Sequence, residues 1–165
     1  MQKPGRLLAL LGFLTAAFFL CDRLIKAAVL RADLAAGPVI PGLLQIVRTE
    51  NTGYAFSLFS GGGAFVPLLS AAAFIALVAA EWIYRPYWEK SPVLLVALSA
   101  VNGGALGNLW DRAAYGAVTD YIRLLFIRFP VFNFADICVT AGLLTVAARV
   151  LLQEAPGRGP GEEDT

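Results

Sequence analysis

Asp120 and Asp136 are the two residues of this chain best suited to chemistry. With Asp111 they lie beside or inside strongly apolar sequence, in GGALGNLWDRAAYGAVTDY (Gly103 to Tyr121) and FPVFNFADICVTAG (Phe129 to Gly142). A charged side chain at the centre of a membrane helix costs roughly 2.5–3.5 kcal/mol on insertion scales, so acids kept near bilayer depth pair, line a cavity or react. If the carboxyls of Asp120 and Asp136 share one poorly solvated site, both cannot ionise easily, and one keeps a proton while the other stays charged. That split is what hydrolysis by a carboxylate pair requires: the ionised acid takes a proton from an attacking water, and the protonated acid donates to the developing oxyanion and then to the leaving amine. Asn133, three residues before Asp136, falls on the same helical face. The simpler alternative for Asp136 is a cap at a helix end or a pair with Arg123 or Arg128.

Other polar residues are placed to support such a site. Asn108 and Asp111 share a face three residues apart, directly after the glycine-rich GGALG, where small residues let helices approach closely. Asp111 or Arg112 is expected to hold the loop that carries Asp120. Asp22 and Lys26 stand four apart on the first apolar segment and suit an intrahelical ion pair at the mouth of the site. Asn51 and Gly53, in RTENTGYAF, offer amide groups to an extended peptide or a headgroup, or form an ordinary turn.

The chain holds no histidine, which removes imidazole bases, His-based zinc sites and Ser-His or Cys-His nucleophiles. Neither a metal nor an organic cofactor is expected. Cys21 and Cys138 lack CxxC spacing and read as small buried hydrophobes. With 13 basic and 12 acidic residues and no basic block, nucleic acid has no electrostatic foothold.

The elements that position these residues follow from hydropathy. Of 165 residues 58% are hydrophobic, and the mean hydropathy is +0.69, too apolar for a water-soluble domain of this size to cover with polar surface. Four apolar segments, about 7–28, 64–84, 92–110 and 133–152, are each long enough to span a bilayer. The fold class expected is therefore an all-α membrane protein, one domain over 1–153. The connection at about 34–60 mixes Pro, Gly and β-favouring residues and reads as a small β platform between helices 1 and 2, ending in a turn at Gly61 to Gly63. Residues 154–165 read as a disordered cytoplasmic tail. Four crossings put both termini on one side. Lys and Arg number six on that side and seven on the other, so charge does not choose the orientation, and the basic start and hydrophilic tail favour cytoplasmic termini.

Five blocks together give the chain a resemblance: DRLIK (Asp22 to Lys26), NTGYAFS (Asn51 to Ser57), GGALGNLWDR (Gly103 to Arg112), VTDY (Val118 to Tyr121) and FNFAD (Phe132 to Asp136). In order and spacing they resemble the lipoprotein signal peptidase (signal peptidase II) family of bacterial membrane aspartyl proteases. The resemblance implies a catalytic pair at Asp120 and Asp136, with Asp22, Lys26, Asn51, Gly53, Asn108, Asp111, Arg112, Asn133 and Ala135 around it. It also implies an inner-membrane protein, expected to be monomeric, with cytoplasmic termini and its site towards the periplasmic face. Its substrates would be diacylglyceryl-modified prolipoproteins cut before the lipidated cysteine, with membrane lipids as surroundings. Tyr54, Thr119 and Tyr121 depart from the family's usual residues and bear on substrate fit. The rival class is a small carrier, whose acids would form a polar path at several depths.

Overall fold

The computed structural model describes residues 4–32, 37–52 and 65–154. The order is α1 (Pro4–Arg31), β1 (Leu44–Asn51), α2 (Phe65–Ile83), the single turn α3 (Arg85–Trp88), α4 (Pro92–Tyr115), β2 (Val118–Leu124) and α5 (Phe134–Glu154). Among the described residues, α1, α2, α4 and α5 are long and apolar enough to cross a bilayer. They present Leu24, Ile75, Leu144 and Leu151 outward, as a protein solvated by hydrocarbon does.

The central element is α4, which packs against α1, α2 and α5. It is started by Pro92 and by the Ser91 side chain, which accepts the Leu94 N–H at 3.3 Å, a cap and first-turn proline in their favoured places. It ends at Gly116, whose φ of 75° is open to glycine at little cost. In its first half Leu94, Leu95 and Leu98 pack with Trp88, against Leu7, Leu8, Leu11 and Leu14 of α1 and Val146 of α5. In its second half the glycines bring neighbours to backbone contact. A Cβ on Gly103 would lie 2.8 Å from the Thr15 carbonyl oxygen, and one on Gly104 would lie 2.5 Å from that of Ala135. Gly104→Ala therefore forces α4 and α5 apart, whereas Gly12, with nothing within 4 Å, has room for the same methyl. We expect Gly104→Ala to lower stability by about 1–3 kcal/mol in a detergent melt, and Gly12→Ala to leave it unchanged or slightly raised.

Two expectations are corrected. The third helix runs on to Tyr115 rather than stopping near 110, so Asp111 and Arg112 lie in its last turns, with Asp111 one turn after Asn108. The sheet is not confined to the connection between the first two membrane helices: β1 pairs antiparallel with β2, from the connection between α4 and α5. Leu44 faces Leu124, Thr49 faces Asp120 and Asn51 faces Val118, with a bulge between Ile46 and Thr49. Phe132 then bridges to Ile122, which returns the chain to the sheet just before α5. The remainder of the expected platform, with Gly53, Tyr54 and Gly61 to Gly63, and the tail from 155 onward lie outside the described residues.

Candidate active site

The sheet and the start of α5 bring Asp120 and Asp136 to one place through Asn133. Asn133 is the residue before α5, and its side-chain oxygen accepts the Asp136 N–H at 3.0 Å while Asp136 Oδ2 accepts the Asn133 N–H at 3.0 Å. This reciprocal capping arrangement satisfies two amides that a helix start leaves unpaired. The Asn133 Nδ2 donates to Asp120 Oδ1 at 2.7 Å. The second oxygen of each acid is also held, Asp120 Oδ2 by Asn51 Nδ2 at 3.0 Å and Asp136 Oδ1 by Asn108 Nδ2 at 2.8 Å. Asn51 reaches Asp120 because the register sets it opposite Val118, two residues away on the same face.

A second layer of charge lies behind the asparagines. Lys26 Nζ is 3.0 Å from Asp22, 2.8 Å from Asp111 and 3.0 Å from Asn108 Oδ1. Arg23 bridges Asp22 and Asp111 from the other side. Asp22, Lys26 and Asp111 are buried, and the four charges cancel, which is the condition for keeping ions out of water. Asp111 Oδ2 also accepts the Thr119 N–H at 3.3 Å, tying the last turns of α4 to the strand that carries Asp120. One side chain, Asn108, spans both layers, since its Oδ1 accepts from Lys26 and from Asn133 at 3.2 Å.

Burial pushes the Asp120 carboxyl up to about 6. The hydrogen bond from Asn51 opposes that rise, the neighbouring Asp136 charge adds to it, and the bond from Asn133 and the charge of Lys26 oppose it. Asp136 lines a cavity of about 320 Å³ between α2, α4 and α5, with Asn108 and Arg112 at its polar end and apolar walls from Ala73, Phe74 and Leu143. The arrangement offers two carboxyls within one hydrogen-bond network, fixed by neutral amides and opening on an apolar groove. It is fitted to general acid and base work on a bound amide. Among the described residues no group of three or more Cys, Asp or Glu comes together as metal ligands.

The residues singled out in the sequence are mostly brought together. Asp22, Lys26, Asn51, Asn108, Asp111, Asp120, Asn133 and Asp136 form one connected set through the bonds above. Arg112 donates to the Asn108 carbonyl at 3.2 Å and lines the groove. Ala135 is fully buried where α5 meets Gly104. Asp136 does cap its helix, as the simpler reading held, and it meets Asn108 as well. Arg123 instead donates to Gln45 at 3.5 Å on the sheet. The four acids weighed for a polar path gather at one end of the bundle rather than at several depths.

Three contributors escaped the sequence reading. Arg23 closes the charge cluster. The Tyr121 hydroxyl accepts the Phe134 N–H at 3.1 Å, fixing the first turn of α5 to the strand. Far from the acids, Glu81 accepts from Asn102 Nδ2 at 2.9 Å and its carbonyl accepts from Trp88 Nε1 at 2.8 Å, joining α2, α3 and α4. Cys138 is buried as expected, while Cys21 is exposed on α1.

Comparison with known proteins places this geometry. The family model described as signal peptidase (SPase) II matches residues 14–152. The lipoprotein signal peptidase of Lactiplantibacillus plantarum is 35% identical over 86% of this chain and 94% of that protein. That of Dehalococcoides mccartyi is 40% identical over 79% of this chain and 81% of its own length. A solved bacterial membrane enzyme superposes with a TM-score of 0.76 at 26% identity, covering 93% of this chain and 94% of its own. A second gives 0.72 at 28% identity, covering 86% and 92%.

Proposed function

The chain belongs to the signal peptidase II family, a multi-pass membrane protease that removes signal peptides from prolipoproteins, and we propose that Asp120 and Asp136 are its catalytic pair. The observation that carries this reading is the bridge from Asn133 to both carboxyls. In the substrate complex Asp120, whose carboxyl burial already pushes up to about 6 in the open site, holds the proton, and Asp136 takes one from a water placed between them. The water attacks the scissile carbonyl, Asp120 donates to the forming oxyanion, and the amine leaves with a proton returned through the pair. Asn51, Asn108 and Asn133 fix the acids without adding charge. Asp22, Lys26, Asp111 and Arg112 hold Asn108 and the strand, Ala135 sets the α4 to α5 spacing, and Gly53 is assigned to substrate binding on its motif alone.

The substrate reaches this pair from the membrane, with its cysteine already carrying a diacylglyceryl group, and is cut just before that cysteine. Support for the lipid comes from the apolar walls of the groove beside Asp136. The termini are cytoplasmic, the site faces the outer side of the inner membrane, and the protein works as a monomer. No metal or organic cofactor enters this scheme. The test is cleavage by purified protein in detergent of a lipidated prolipoprotein against the same polypeptide unlipidated. We expect the unlipidated form to be cut at least about 10²-fold less efficiently, in line with burial of many methylenes; equal rates would sink the lipid assignment.

A further inference from the structure

At the opposite end of the bundle from the acids lies a cleft that peptide hydrolysis does not use. It has a volume of about 700 Å³ and is lined by Pro86, Tyr87, Lys90, Ser91, Pro92 and Arg149, where α3 meets the start of α4 and the last turns of α5. Two cations, Lys90 and Arg149, line it. Among the described residues neither Lys90 nor Arg149 forms an ion pair, and the nearest acid in sequence, Glu89, is taken by Arg85. Ser91 accepts the Leu94 N–H, which leaves its hydroxyl proton free to donate. The start of α4 adds the positive end of a helix dipole. Trp82, Tyr84 and Tyr87 are exposed where α2 passes into α3 beside the cleft, as aromatic side chains are at the headgroup depth of a bilayer.

We propose that this cleft binds the phosphate headgroup of an acidic phospholipid, held by Lys90 and Arg149, with Ser91 donating to a phosphate oxygen. The charge asks for an anion, and the exposed aromatic side chains beside the cleft and its position at the end of membrane-spanning helices make that anion a lipid rather than a solute. The site stands apart from the peptidase reading and holds for either orientation of the chain.

The test uses the full chain, delipidated in neutral micelles and titrated with phosphatidylglycerol or phosphatidylcholine, with bound lipids counted by native mass spectrometry. We expect the wild type to prefer phosphatidylglycerol for its first bound lipid. Lys90→Gln combined with Arg149→Gln should lower that affinity by about tenfold or more, while phosphatidylcholine binding and prolipoprotein cleavage stay unchanged. Lys90→Arg with Arg149→Lys should keep the preference. A doubly neutralised chain that still prefers phosphatidylglycerol overturns the proposal. So does displacement of the lipid by millimolar glycerol phosphate, which would make this a free-anion site. If binding appeared only after residues 155–165 are removed, the cleft would belong to the acidic Glu162, Glu163 and Asp164, and the lipid assignment would fail.

Discussion

Asp120→Asn and Asp136→Asn each abolish prolipoprotein cleavage, with an expected loss of about 10³-fold or more, but they move stability in opposite directions. Asp120 is buried and its carboxyl lies above the ordinary value, so ionising it works against folding. Its contribution is fully present below about pH 4 and is lost as pH rises through about 6. At pH 7 the charge costs the folded state on the order of 2–3 kcal/mol, and Asp120→Asn should recover about 1–2 kcal/mol of it there and nothing at pH 4. The Asp120→Asn amide also meets two donors, Asn51 Nδ2 and Asn133 Nδ2, so only part of the charge cost returns; Asp136→Asn places an amide against the Asn133 N–H and Asn108 Nδ2. Asn108 cannot turn freely to accommodate it, because its oxygen is held by Lys26 and Asn133, and the change should cost about 1 kcal/mol or more. Melting curves from pH 4 to pH 8 with parallel cleavage assays measure both. An Asp120→Asn protein that is inactive and less stable at pH 7 than the wild type would mean that the Asp120 charge is better compensated than its burial implies.

Lys26→Met is the substitution expected to damage the fold most. It leaves Asp22 and Asp111 buried with Arg23 as the one cation of the cluster, and an uncompensated charge of this kind costs about 3–5 kcal/mol. Adding Asp111→Asn removes the excess negative charge and leaves the Asp22 to Arg23 pair intact. The double variant should therefore be more stable than Lys26→Met alone, by about 2 kcal/mol, a coupling that additive effects cannot produce. Activity should not return with it, because Asn108 still lacks the Lys26 donor that fixes the groove end beside Asp136. Thermal melts of the two single variants and the pair, with cleavage measured in each folded protein, separate the two effects. Simple additivity would mean that the four charges do not act as a unit.

The membrane helices were legible because each is a long apolar run, and a bilayer demands little more. Their ends were less so. Hydropathy falls at Asp111, yet α4 continues through Trp110 to Tyr115 until Gly116 allows a positive φ, since its charges are neutralised from α1, which a local window cannot see. Strand β2 was hidden for a related reason: VTDYIRL carries an acid in its middle and takes its pairing from β1, about seventy residues earlier. At the site, the four-residue spacing on α1 picked out Asp22 and Lys26 but passed over Arg23, whose partner Asp111 lies on another helix. Glu81 was missed because it ends an apolar run beside Trp82 and Tyr84, where a polar residue looks like a membrane boundary. Asn133 was seen beside Asp136, but only the fold makes it the cap that also reaches Asp120.

That shared cap has a consequence for the order in which the protein is made. The ribosome delivers α1 first, when Asp111 does not yet exist, and the Asp22 to Lys26 pair within α1 gives that helix partial neutrality while it enters the bilayer. Asp120, Asn133 and Asp136 are all made after α4, and they meet only when α5, capped by Asn133, docks on Gly104. A chain in which α5 is missing or wrongly inserted therefore cannot bring the two acids together, and the proposed catalytic pair waits on completion of that helix.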